Sequence, residues 1–159
     1  LDEAEIKLAS KHLIYVFNLG GQPTALNAAR LLAAKSAHSG RKVILCDTTG
    51  QLQKDIEGGA KNNIAGVPTV SITNNFNVTV DTNDTSFFTK PNFNTTIKNL
   101  KTHFDQVFIC SGRNTANLGL MALVEFSPSL VMIAGLRSTR KFEIMEKETE
   151  QPIDLLFHD

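Results

Sequence analysis

The sequence predicts an α/β fold in three layers, a parallel β-sheet with helices on both faces. Two observations carry the prediction. Apolar residues come in unbroken runs of four or five, at Leu13–Phe17, Val43–Cys46, Val107–Cys110 and Leu130–Ala134. A strand that is apolar throughout, not alternately, is covered on both faces. Between these runs lie segments in which small and apolar residues recur at helical spacing. Strands alternating with helices build a parallel sheet through right-handed crossovers.

Residues 1–11 carry Leu1, Ile6 and Leu8 among charges and read as an N-terminal arm or short helix. Residues 12–159 read as one domain, a size that supports a single hydrophobic core. Residues 13–17 form the first buried strand. From Thr24 to about Ser39, Ala25, Ala28, Ala29, Leu32, Ala33 and Ala37 mark a helix that packs closely on a sheet, with Gly40 as its C-terminal stop. Residues 43–46 form the second strand, with Asp47 at its C-terminal end. Residues 51–58 read as a short helix closed by Gly58-Gly59. Within 60–91, Val67, Val70 and Ile72 suggest one short strand and Val78 and Val80 another, with loops between and around them. Residues 92–103 read as a helix, 107–110 as a strand, 115–124 as a helix, 130–134 as a strand, 139–149 as a charged surface helix and 153–157 as a last strand.

Sixteen basic residues balance sixteen acidic ones. With no basic tail, this composition does not fit non-specific nucleic-acid binding, which needs concentrated positive charge. No apolar run approaches the roughly 20 residues that cross a bilayer, so no direct membrane insertion is expected. The chain starts Leu1-Asp2-Glu3, with no basic and apolar leader, and the lack of a first Met reads as a piece of a longer protein. Cys46 and Cys110 each end an apolar run and read as small buried hydrophobes, with no His or Cys at metal-ligand spacing. Three Asn-x-Thr triplets, at Asn77, Asn83 and Asn94, fall in an Asn- and Thr-rich stretch where they arise by chance.

In an open parallel sheet the ligand crevice lies beyond the C-terminal ends of the strands. Four loops converge there: 18–24, 47–51, 111–114 and 135–139. The first, Asn18-Leu19-Gly20-Gly21-Gln22-Pro23-Thr24, links a strand to a helix as a phosphate loop does. A working phosphate loop adds a lysine for the β- and γ-phosphates and a hydroxyl for Mg²⁺. Here no lysine lies between His12 and Ala34, and Pro23 removes one backbone donor. Gly20, Gly21, Gln22 and Thr24, with Asp47, therefore form a weak or vestigial phosphate site. Asp47 stands where a hydrolase holds Mg²⁺ or its waters, but the equivalent end of the later strand carries Cys110 and then Ser111. Thiol sulfur does not replace oxygen as a Mg²⁺ ligand. No catalytic residue and no metal site are expected.

These landmarks resemble the bacterial polysaccharide co-polymerase and tyrosine autokinase family, within the deviant-Walker P-loop ATPases that include partition and septum-site ATPases. The family's Gly-x-Gly-Lys-Ser/Thr-Thr loop, followed by Asn-Leu-Ala, has its counterpart in Gly20-Gly21-Gln22-Pro23-Thr24 and Asn27-Ala28-Ala29. Gly40-Arg41-Lys42-Val43-Ile44-Leu45-Cys46-Asp47 is similar to the family's strand that ends in Asp-Ala-Asp, with Asp47 on the first Asp and Thr49 in place of the second. Phe104-Asp105-Gln106-Val107-Phe108-Ile109-Cys110-Ser111-Gly112 is similar to the strand that ends in Asp-x-Pro, with Cys110 in place of the Asp. Thr139-Arg140 resembles a pair common after the last core strand. The likeness covers roughly 12–157 and implies a P-loop NTPase-like, Rossmann-like topology.

The resemblance implies a degenerate, non-catalytic domain of an exopolysaccharide or lipopolysaccharide biosynthesis protein of the chain-length-determinant type. Such a domain would sit on the cytoplasmic side of the bacterial inner membrane as part of a larger membrane protein. Its partners would be further copies of itself and the membrane-embedded portion, its role assembly or regulation, and it would need no cofactor. Two other readings stay open. One is an atypical ATPase or kinase-like domain that binds ATP or ADP with Mg²⁺ and draws positive charge from Arg113 or Arg137. The other is a degenerate partition-type regulator that binds protein partners.

Overall fold

The computed structural model describes residues 11–18, 24–49, 61–64, 66–79, 84–112, 115–134 and 153–157. In chain order the elements are β1 (Leu13–Asn18), α1 (Thr24–His38), β2 (Val43–Asp47), β3 (Lys61–Ile64), β4 (Val67–Ser71), β5 (Phe76–Thr79), α2 (Asp84–Thr89), α3 (Phe93–His103), β6 (Gln106–Ser111), α4 (Ala116–Leu123), a single 3₁₀ turn (Val124–Phe126), β7 (Ser129–Ala134) and β8 (Ile153–Phe157).

The strands form one sheet in the order β3-β4-β5-β2-β6-β1-β7-β8. From β5 to β8 every neighbouring pair is parallel. Only β4 runs against the rest, through antiparallel ladders with β3 and β5. The expected parallel sheet is thus present, and an antiparallel meander extends one edge. β1, β2 and β6 are buried at every position, as their unbroken apolar runs require.

Side chains alternate between the two faces, so each strand feeds two cores. On one face Ile14, Val16, Leu45, Phe108 and Cys110 meet the small-residue side of α1, at Ala25, Ala29 and Ala33. On the other, Tyr15, Phe17, Ile44, Cys46 and Ile109 meet α2, α3 and α4. α3 places Phe93, Ile97 and Leu100 on one stripe, the i, i+4, i+7 spacing of a half-buried helix. α1 ends where expected: Gly40 takes φ +101° and donates its N–H to Ala37 O at 3.0 Å. A residue with a Cβ resists that backbone region.

The middle of the chain departs from expectation. Residues 61–64 form a strand and 84–89 a helix where loops were expected. Ile72 lies outside β4, in the turn before β5, and is exposed. Asn77 is buried in β5 and accepts a hydrogen bond from Ser71 Oγ at 2.8 Å, which removes it as a glycosylation site in the folded chain. The expected arm at 1–11 (but for Lys11), the helices at 51–58 and 139–149, Val80 and Asn83 lie outside the described residues. No helix among the described residues is long and apolar enough to cross a membrane.

Candidate functional site

The sheet register assembles the site. β2, β6 and β1 are adjacent and parallel, so their C-terminal ends share one edge. Asp47 pairs with Cys110 across β2 and β6, and Cys110 pairs with Val16 across β6 and β1. Cys110 faces the α1 side of the sheet, as does Val16. Asn18, two residues beyond Val16, falls on the same side by the strand period. Thr24 opens α1 on that side. Asp47, the end of β6 and the start of α1 therefore lie together at the C-terminal end of the strands, where the ligand crevice is expected. Gly20, Gly21 and Gln22, together with Arg113 and Arg137, lie outside the described residues, as do most of the four converging loops.

Asp47 is buried, and its carboxylate is held inward. Oδ1 accepts the backbone N–H of Thr49 at 2.8 Å and the Thr49 hydroxyl at 2.5 Å. The Cys110 thiol also donates to Oδ1, at 3.4 Å. Thr49 stands where the resemblance placed a second Asp, and it serves as a hydrogen-bond donor to the first. On the other side of β2, Thr79 Oγ1 at the end of β5 accepts the Asp47 N–H at 3.2 Å.

Cys110 is fully buried, and burial pushes its thiol pKa well above the ordinary value. The neighbouring Asp47 carboxylate pushes it further, both by its charge and by accepting the thiol hydrogen bond. The thiol is thus neutral, a donor and not a ligand. Cys46 is pushed up in the same way, mainly by burial. The two cysteines belong to opposite cores, so the strand pleat keeps them apart and both are free thiols.

The polar lining extends past the carboxylate. Thr48 donates its hydroxyl to Cys110 O at 2.8 Å and its N–H to the same oxygen at 3.1 Å. The Thr48 and Ser111 hydroxyls lie 3.1 Å apart, and both residues are buried. Thr48, Thr79 and Ser111 were not singled out by sequence reasoning as site residues. The signal for Thr48 and Ser111 is their place at the ends of apolar runs; Thr79 becomes a neighbour only once β5 is known to lie beside β2. Among the described residues no group of three or more His, Cys, Asp or Glu side chains could hold a metal ion.

The overall fold is shared with solved proteins. The chimerical protein CapA2B2 superposes with a TM-score of 0.76 at 13% identity, over 97% of this chain and 80% of that one. The tyrosine kinase domain of BceF gives 0.68 at 12% identity, over 97% and 71%. A ParA family ATPase from Chlorobium tepidum gives 0.69 at 16% identity, over 93% and 74%. The fold is that of bacterial tyrosine kinase domains and ParA-type P-loop ATPases. No protein-family model matches the sequence, and no curated protein matches it. At these identities the likeness establishes the fold, and the chemistry has to be argued from the site.

Proposed function

We propose that this chain is a non-catalytic domain of a bacterial exopolysaccharide or lipopolysaccharide biosynthesis and export protein, acting in assembly or regulation. The landmark order in the sequence and the fold shared with a tyrosine kinase domain support the class. The Cys110–Asp47 contact supports the loss of chemistry. A phosphoryl-transfer site of this fold needs carboxylates that hold Mg²⁺ against the β- and γ-phosphates. Here a buried neutral thiol replaces one of them and donates its proton to the other at 3.4 Å. Asp47 is thereby tied to Cys110 and Thr49, with its Oδ1 turned into the protein.

In this reading the domain works on the cytoplasmic side of the inner membrane, beside further copies of itself and a membrane-embedded portion of the same protein. Incubating the purified domain with labelled ATP and Mg²⁺ tests the non-catalytic claim. The expected result is no labelled protein and no phosphate release above a buffer control. Turnover abolished by Asp47→Asn would overturn the claim.

A second reading has one observation in its favour. Gly20-Gly21 shortly precede α1 in the sequence, and the first amides and dipole of α1 suit an anion. The domain would then bind ATP or ADP without hydrolysing it, with Gly20, Gly21, Gln22 and Thr24 at the phosphates.

A further inference from the structure

The end of the sheet opposite the crevice is basic. Lys11 and His12 precede β1, Arg41 and Lys42 precede β2, and Lys101 and His103 close α3 just before β6. β2, β6 and β1 are neighbours, and helices returning antiparallel to the strands end at the strand starts. These six residues therefore share one surface. All are exposed except Arg41, which is half-buried. The described acids at this end are Glu125, exposed just before β7, and Asp105, whose carboxylate Oδ2 accepts the Lys42 N–H at 2.8 Å while the Asp105 N–H donates to Lys42 O at 2.8 Å. This double link clamps the start of β2 to the start of β6.

Part of this charge answers the carbonyl end of α3, where cations are favourable. Arg41 likewise follows the carbonyl end of α1, where its N–H donates to Ser36 O at 3.3 Å, which leaves Lys11 and Lys42 at strand starts as cations that no helix end calls for. The Lys42 ammonium sits 5.2 Å from the centre of the Phe104 ring, at the rim of this surface. Phe104 itself is buried, so among the described residues the patch offers no exposed Phe, Tyr or Trp ring for base stacking. Surface Lys and Arg side chains without Phe, Tyr or Trp platforms suit a surface of anionic headgroups better than a nucleic-acid strand.

We propose that this strand-start surface docks on an anionic phospholipid bilayer. The inference rests on the reading of the chain as a domain held at the inner membrane, and it names the face that meets the lipid. It also sets an orientation: the crevice with Asp47 and Cys110 points away from the bilayer.

Co-sedimentation of the intact chain with vesicles tests this, comparing phosphatidylcholine alone with phosphatidylcholine containing anionic phosphatidylglycerol. The expected result is binding to the anionic vesicles only, lost at high salt. Each basic side chain removed should lower partitioning about fivefold. Lys11→Ala, Arg41→Ala and Lys42→Ala together should therefore cost about a hundredfold, while Lys90→Ala, an exposed base outside the patch, leaves binding unchanged. Circular dichroism confirms that the triple variant is folded. Equal binding to both vesicle types, a triple variant that binds like wild type, or tighter binding to duplex DNA than to anionic vesicles would each overturn the proposal. Turnover of ATP would overturn the non-catalytic reading while leaving the vesicle result standing, so the two failures are distinguishable.

Discussion

Replacing Gly119 by alanine sets two effects of opposite sign against each other. Helix propensity favours alanine over glycine by about 1 kcal/mol in a helix interior. Gly119, however, lies in α4 directly against Tyr15. A Cβ there would stand 2.1 Å from the Tyr15 hydroxyl, 2.5 Å from its Cζ and 3.0 Å from Phe88 Cζ. Tyr15 cannot yield cheaply. It is fully buried, its ring stacks on Phe17 at 5.1 Å between centroids, and its hydroxyl donates to Ala116 O at 3.0 Å. Overpacking of this kind costs roughly 1–3 kcal/mol, and the contact is short enough for the upper end. Displacing the hydroxyl forfeits a further ~1 kcal/mol. Sterics win, and Gly119→Ala should destabilise by about 2–3 kcal/mol. Urea denaturation reads this as a lower midpoint at unchanged slope. Thermal melting should show a fall of about 4–12 °C for a chain of this size. In a Tyr15→Phe background the nearest clash is gone, and the alanine penalty should shrink by about 1 kcal/mol. A neutral or stabilising Gly119→Ala would refute the packing of α4 on β1.

Three other outcomes follow from the site. Cys110→Asp would bring a second carboxylate against Asp47 in a buried place, costing roughly 3–5 kcal/mol at neutral pH. Paired carboxylates have a raised folded pKa, so the deficit should shrink as pH falls from 8 to 5; urea midpoints that show an equal deficit at both would contradict the contact. Because burial raises both thiol pKa values in the fold, the cysteines stabilise the protein below about pH 8.5, where the unfolded thiols are protonated. That stability should decline as pH rises from about 8.5 to 10, with a shallower decline in the Cys46→Ala, Cys110→Ala double variant, measured by chemical denaturation across that range. Thr48→Val removes the hydroxyl that bonds Cys110 O and Ser111 and should cost about 1–2 kcal/mol, whereas an unchanged melting temperature would deny that network any structural role.

The central sheet was legible because its signal is local. Residues 13–17, 43–46, 107–110 and 130–134 are apolar at every position, and a run of that kind has few alternatives to a doubly covered strand. β3 gave no such signal. Its sequence is Lys61-Asn62-Asn63-Ile64, poor in β-formers, and the ladder with β4 holds it in place. α2 is equally quiet. Asp84-Thr85-Ser86-Phe87-Phe88-Thr89 has little helix propensity, and Phe87 and Phe88 anchor it by packing edge-on with each other and with Phe93. In both elements tertiary contact overrides local preference.

At the site, Asp47 was legible from its place at a strand end, and Cys110 from the matching end of a later strand. Their contact was not, because it depends on which strands are neighbours and in what register. Thr79 illustrates the same limit: 32 residues from Asp47 in the chain, it meets the Asp47 amide only because β5 lies beside β2.

The proposed non-catalytic role turns on whether the strand ends around Asp47 take a nucleotide as a metal complex. Calorimetric titration of the folded domain with Mg-ATP, and separately with Mg-ADP, measures this most directly. No saturable heat is expected for either, because the Cys110 thiol donates to the Asp47 carboxylate that a Mg²⁺ site would need. Saturable micromolar binding that disappears when Mg²⁺ is chelated would contradict it.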